Sequence, residues 1–262
     1  MKICFRHFGA ERLAFLVCFF ALVFAAPTSC RSQKNARRAG AQYVAPIKNK
    51  PEQILVRKAY VTSYNKQTLQ ANWVGWTLTA AHAEGKVKRP QGPAFHEDRE
   101  VPRPRATPDD YKGAGWSRGH LCPAGDNKWD RDAMYDTFLL TNISPQDSKL
   151  NSGKWNSIEM KCRQWAKKYG EIQIVCGPIF YSKNPERIGR HRIPVPDAYF
   201  KVVMTLKGEP KGIGFIRKNK ASGRAEDYEN SIAEVERITG LTFFPNLPKD
   251  VARKVKSRAA KL

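Results

Sequence analysis

The sequence predicts an α+β fold with a mostly antiparallel central sheet flanked by helices, and three observations carry that expectation. Stretches rich in β-branched and aromatic residues at 54–64, 71–80, 171–181 and 198–206 read as strands. Trp155, Ile158, Cys162, Trp165 and Tyr169 recur at spacings of three and four and read as the apolar face of a helix. The two kinds of element do not alternate in the βαβ order of a parallel sheet, so the strands are expected to pair largely antiparallel.

Taken in order, residues 1–30 read as a leader rather than as fold. Lys2, Arg6 and Arg12 precede an apolar run at 13–26, short for a bilayer span of about 20 residues but suited to the core of a signal peptide. Pro27, Thr28, Ser29 and Cys30 loosely match a lipoprotein cleavage pattern, in which a lipid on Cys30 would anchor the chain to a membrane; Pro27 fits that pattern poorly. The chain is therefore expected to be exported to a periplasmic, extracellular or lipid-anchored position. Residues 31–53 are basic and poor in large apolar side chains, which predicts a flexible tether. One domain is expected over 54–248, followed by a basic tail at 249–262 that reads as a solvated helix.

Within the domain, 54–64 and 71–80 look like a hairpin, and the proline- and glycine-dense residues 85–115 form a long excursion of the kind that is usually functional or mobile. A short strand is expected at 137–143 and a helix at 152–169, ended by Gly170. Another strand is expected at 212–217, and a second helix at 231–239, stopped by Gly240.

The 262 residues carry 46 Lys and Arg against 24 Asp and Glu, a net charge of +22, with 41% hydrophobic and 11% aromatic residues. That apolar content excludes a chain disordered throughout. Without residues 1–30 the balance is 43 basic against 23 acidic residues, still +20, so the basic character belongs to the mature chain. Such a field concentrates polyanions, whether nucleic acid, anionic lipid or acidic polysaccharide. Cys122, Cys162 and Cys176 remain in the globular part. Export permits one disulfide, for which Cys162–Cys176 is the expectation and buried free thiols the alternative. No cysteine pair has the spacing of a zinc site.

Two stretches contain residues suited to chemistry. His120 lies in WSRGHLCPAGD at 116–126, and an imidazole with an ordinary pKa near 6.5 suits proton transfer, although a lone histidine is more often a surface or hydrogen-bonded structural residue. His82, His96 and His191 read as ordinary loop histidines, and His7 leaves with the leader. Between 141 and 163, polar Asn142, Asn151, Glu159 and Arg163 interrupt a core-forming pattern. On a regular helix Glu159 and Arg163 lie about 80° and 120° round from Asn151, along one border of the apolar stripe. A rise of about 1.5 Å per residue sets Asn151 and Glu159 roughly 12 Å apart, so one would touch a small ion directly and the other through water. The competing reading makes Asn151 or Ser152 a helix cap and pairs Glu159 with Arg163 across one turn at the surface.

Together SRGH at 117–120, the DNKW that follows, and TNISPQ…LN…W…E…R from 141 to 163 resemble the DNA/RNA non-specific endonucleases, the ββα-metal family that includes endonuclease G-like enzymes. YNKQTLQANWVGWTLT at 64–79, DDYKGAGW at 109–116 and TGLTFFPNLP at 239–248 support the match, which spans about 54–248. The resemblance implies a ββα-metal nuclease fold and a hydrolase that cuts the phosphodiester bonds of DNA and RNA to 5′-phosphate and 3′-hydroxyl ends. It further implies Mg²⁺ as cofactor, with Mn²⁺ as a substitute. Carried over by residue, it makes His120 the general base, Asn151 the single direct metal ligand and Glu159 the residue that holds the metal through water. Asn142 matches an asparagine that supports the geometry, and Arg118 and Arg163 match arginines near the phosphate. A further arginine of the upstream loop falls on Arg89 or Arg99. One position departs from the family pattern: Ser117 stands where an aspartate is usual, which removes a carboxylate and leaves pH optimum and rate uninherited.

DNA and RNA would be held through the phosphate backbone, since nothing in the sequence resembles a base-reading module. Trp116, Trp129 and Trp155 read as core residues rather than stacking platforms. Two rival readings stand beside the nuclease: a non-catalytic polyanion binder on the same scaffold, suggested by the charge and Ser117, and an inert domain whose basic tether and tail associate with membranes.

Overall fold

The computed structural model describes residues 28–220 and 229–262. The expected leader through residue 27 and the Cys30 side chain lie outside that description.

The chain opens with helix α1 (Thr28–Ala41), strands β1 (Gln53–Val56), β2 (Val61–Asn65) and β3 (Gln70–Thr79), and the short helix α2 (Ala80–Glu84). The middle carries β4 (Ser117–His120), α3 (Arg131–Asp136), β5 (Ile143–Gln146), α4 (Ser148–Leu150) and α5 (Asn156–Tyr169). It closes with β6 (Glu171–Ile179), β7 (Arg187–Ile188), β8 (Ile193–Pro194), β9 (Ala198–Thr205), β10 (Lys211–Lys218), β11 (Glu229–Asn230), α6 (Ile232–Thr239) and α7 (Lys249–Lys256).

Seven strands form the main sheet in the order β1-β2-β3-β6-β9-β10-β11, and every neighbouring pair is antiparallel. Two small ribbons, β4 with β5 and β7 with β8, stand apart from it. The central strands are apolar on both sides because alternate residues face opposite layers. Val74, Trp76, Ile174, Cys176 and Val203 meet Ile158 and Cys162 of α5 on one face. Trp73, Val175, Phe200 and Val202 meet Ile232 and Val235 of α6 and Val255 of α7 on the other. The expected antiparallel sheet with flanking helices is the architecture found.

Four local expectations need correction. Residues 31–53 are not a flexible tether: α1 is followed by buried Tyr43 and Val44, and Ala45 N donates to Thr242 O at 2.9 Å. Their mean composition hid two anchoring side chains, and Gly75 makes room for one, since a Cβ there would sit 2.5 Å from Tyr43 Cγ. The basic tail does contain a helix, α7, but Val255 is buried and Ala260 N donates to Gly212 O at 2.9 Å, so it is docked rather than solvated. The stretch at 137–143 is a set of turns stabilised by buried Phe138 and Leu140, with the strand beginning only at Ile143. Cys162 on α5 and Cys176 on β6 are free buried thiols that pack into one apolar cluster without bonding.

The helix ends follow the expected glycines. Gly170 at φ 82° stops α5 and Gly240 at φ 70° stops α6, in a region that costs glycine little.

Candidate active site

The SRGH segment is strand β4, laid against β5 with Ser117 opposite Gln146, Gly119 opposite Ser144 and His120 opposite Ile143. Its glycine is a steric requirement, because a Cβ at Gly119 would run into the Gln146 side chain. Just beyond His120, Leu121 N donates to Asn142 O at 2.9 Å. The Asn142 carboxamide accepts from Cys122 N at 2.9 Å and donates to Cys122 O and Thr137 O at 2.9 and 2.8 Å. Asn142 is fully buried and does not line the cleft, so its place in the site is that of a staple behind His120 and not of a reacting group.

Asn151 is delivered by the turn after β5. Asp147 caps α4, accepting from Lys149 N and Leu150 N at 2.9 and 3.0 Å, so neither Asn151 nor Ser152 is the cap. From Asn151 to Trp155 the helix widens into a π-type turn with Gly153 at φ −101°, ψ −109°, which breaks the regular spacing assumed for Asn151 and Glu159. Such turns recur at functional sites because they re-aim side chains. Fully buried Trp155 fixes this one in the core.

These elements enclose a cleft of about 820 Å³ whose lining includes His120, Asn151, Glu159, Arg163, Arg118 and Arg89. Residues 31 positions apart in sequence, His120 and Asn151, therefore share one cavity. Of the two candidate loop arginines it is Arg89 that lies here, while Arg99 is exposed outside the lining. Ser117 and Trp116 also line the cleft, so Trp116 departs from the core role expected for it.

The His120 ring packs against Phe95 and Phe138, with centroids 5.5 and 5.0 Å away. Its Nε2 is buried without a hydrogen-bond partner. Burial, and then the Arg89 charge, hold its pKa down to about 3, so the ring is neutral across the physiological range. Arg118 lies over Phe95 at 5.2 Å and donates to Pro108 O at 3.2 Å, and Arg89 lies over Phe138 at 5.3 Å. Two guanidiniums are thus carried by the two rings that flank the imidazole.

Glu159 does not pair with Arg163. Arg163 instead donates to Asp126 Oδ1 at 2.9 Å, and Asp126, 2% exposed, also accepts from the Trp76 indole at 3.1 Å. Burial pushes the Glu159 carboxyl up to about 7; Asp126 adds to the rise, and Lys201, Arg163 and Arg89 oppose it. Lys201 is 1% exposed, with Nζ over the Trp155 and Trp76 rings at 4.7 and 5.3 Å. Sequence reasoning passed over both Asp126 and Lys201, although a lysine in the midst of the apolar strand AYFKVVMT was a visible signal.

The remaining histidines lie elsewhere: His82 stacks on Trp129, His96 stacks on Tyr135, and His191 Nδ1 is 2.8 Å from Asp110 Oδ2. Among the described residues no group of three or more His, Cys, Asp or Glu is placed to hold a metal. What the cleft offers is a neutral ring with an unpartnered nitrogen, three guanidiniums, and an amide and a carboxylate, a set suited to a phosphate ester and a hard cation.

The sequence pattern of the DNA/RNA non-specific endonucleases matches residues 38–250. The chain belongs to this family. It is 38% identical over 208 residues to "Nuclease EXOG, mitochondrial" of Mus musculus, covering 72% of this chain and 56% of that one. It is 32% identical over 210 residues to "Endonuclease G, mitochondrial" of Bos taurus, covering 74% and 70%. The chain spans 56–60% of the length of the EXOG relatives it matches. A crystal structure of EndoG in complex with EndoGI superposes with a TM-score of 0.73 at 22% identity, over 88% of this chain and 96% of the other, which shows the shared fold. The matched region begins at residue 38, inside the segment that sequence composition had assigned to a tether.

Proposed function

We propose that this nuclease is an exported, Mg²⁺-dependent endonuclease that hydrolyses DNA and RNA without sequence preference to 5′-phosphate and 3′-hydroxyl ends, with His120 as general base. The observation that carries the reading is the neutral His120 imidazole, its Nε2 unpartnered, in the same cleft as Asn151 and three arginines. Because no proton occupies the neutral ring's acceptor nitrogen, His120 can take one from water attacking the phosphorus. A phosphate seated beside it opposes the Arg89 charge and lifts the ring's basicity toward the working pH. Arg163 and Arg118 form charge-assisted bonds to the phosphoryl oxygens, and the pairing of Arg163 with Asp126 keeps one of them in place.

Asn151 would hold the divalent ion directly and Glu159 through water. The donors fit: hard oxygens, few in number, leave magnesium most of the water it sheds reluctantly, with Mn²⁺ as a substitute. Bound there, the ion would neutralise charge growing on the phosphoryl and leaving oxygens. Contacts to phosphate and sugar leave base identity unread, in keeping with cutting that ignores sequence. Export rests on the reading of residues 1–30 as a leader, with a lipid on Cys30 as a membrane anchor; the mass of the mature chain tests both.

Digestion of plasmid DNA and RNA with and without EDTA tests the activity, and His120→Ala is expected to lower the rate by roughly 10²–10⁴. Tight, salt-sensitive binding without cleavage under any divalent ion would overturn the reading in favour of a non-catalytic polyanion binder.

A further inference from the structure

Beside the cleft lies a second cavity of about 340 Å³, lined by Trp116, Tyr181, Val195, Pro196, Lys218 and Lys220 among others. Trp116 lines both, so it belongs to the wall they share. That wall is held from the far side, where its indole donates to Glu186 Oε1 at 2.7 Å. Tyr181 is 59% exposed, one of few large hydrophobic side chains so open to solvent. Its backbone is pinned by Asp197 Oδ2, which accepts from Tyr181 N and Ser182 N at 2.7 and 3.0 Å. Both carboxylates of this cavity are thus engaged by N–H groups, while Lys218 and Lys220 are exposed at its rim.

The cavity is also tied to the residues that build the cleft. Asn219, 1% exposed, donates to Pro145 O and Pro196 O at 2.9 and 2.8 Å and accepts from Asp147 N at 2.9 Å. Pro145 is the strand partner of Arg118, and Asp147 caps the turn that presents Asn151. One buried carboxamide therefore fixes the spacing between the second cavity and the first.

Resting on the nuclease reading, we propose that this cavity is a subsite for a nucleotide flanking the scissile phosphate, with its base stacked on Tyr181 and its phosphate met by Lys218 and Lys220. An open aromatic ring beside cations is the usual platform for single-stranded nucleic acid, because every base presents a π face. Continuity through Trp116 makes the substrate strand itself the occupant.

The test uses single-stranded oligonucleotides in which one abasic site is moved stepwise across the cut position, with KM read in Mg²⁺ and affinity read in EDTA. Tyr181→Ala is expected to weaken binding of the intact strand by about 5- to 150-fold, the range set by one base–aromatic stack. Tyr181→Phe is expected to retain it. At one flanking position the abasic site should cost the wild type that same factor and cost Tyr181→Ala nothing further. Lys218→Ala with Lys220→Ala should reduce the salt dependence of binding. If wild type and Tyr181→Ala respond alike at every abasic position, the subsite is overturned even though cleavage proceeds; absence of cleavage by the wild type would instead overturn the nuclease reading, and the affinities in EDTA would still judge the stack.

Discussion

Arg163 donates to Asp126 at 2.9 Å, across 37 residues of sequence, and not to Glu159 one turn earlier on its own helix. The choice separates two carboxylates by role. Asp126 is sealed under the cleft with Trp76 and positions a guanidinium, while Glu159 faces the cavity. Arg163→Ala leaves the Asp126 charge buried without its cation, a loss of about 3 kcal/mol. Urea denaturation at neutral pH checks this, and a loss below about 1 kcal/mol would mean that Asp126 finds compensation elsewhere.

Glu159 gives a pH dependence of definite sign. Its folded pKa of about 7 lies above the ordinary 4.5, so the folded protein binds this proton more tightly than the unfolded chain does. The contribution is fully favourable below pH 4.5 and is lost as pH rises through 7. Glu159→Gln is therefore expected to raise stability above pH 7, by on the order of 1–3 kcal/mol for a half-buried group, and to leave it unchanged near pH 4. Melting curves across that range in EDTA measure it; a Gln variant less stable at pH 8 contradicts the assignment. The same variant should lose activity, because it gives up the carboxylate proposed to hold the metal through water.

How much of this was legible in the sequence depends on whether a feature is local. The strands at 171–181 and 198–206 and the helices ended by Gly170 and Gly240 were readable because residue type and period encode them directly. Tyr43 and Val44 were not, since two anchors within a polar run leave its composition polar and reveal themselves only through Gly75 and Thr242 far along the chain. In the cleft, His120, Asn151 and Glu159 were found through motif resemblance, and their meeting in space belongs to tertiary packing. Asp126 and Lys201 escaped because a buried charge is identified by its partners, and those partners lie on other elements. The π-type turn at Asn151–Trp155 also defeats any estimate based on a regular helix.

Asn142 acts from behind the site. Its carboxamide makes three hydrogen bonds to main-chain groups of Cys122 and Thr137, two residues beyond His120 and at the start of the turns containing Phe138. Asn142→Ala strands these buried groups at a cost of about 3 kcal/mol. The Phe138–His120 contact loosens with it, so the expected kinetic result is a fall in kcat with little change in KM. A variant that keeps full kcat, measured well below its melting temperature, would show that His120 does not depend on this staple.

The free thiols make the last prediction. Cys162 and Cys176 are buried in one cluster, and burial pushes each thiol up to about 12, so almost no thiolate exists at neutral pH. The thiolate is the reactive form, so alkylation of these two residues should wait for unfolding. Iodoacetamide followed by peptide mass analysis is expected to leave both unmodified in buffer and modify both in urea. Dithiothreitol should not move the melting temperature, whereas a disulfide closing a loop of ~15 residues would have contributed about 3 kcal/mol and its reduction would lower the transition. A reductant-sensitive melt would restore the bond that the sequence suggested and move these two side chains from packing partners to a covalent brace between α5 and β6.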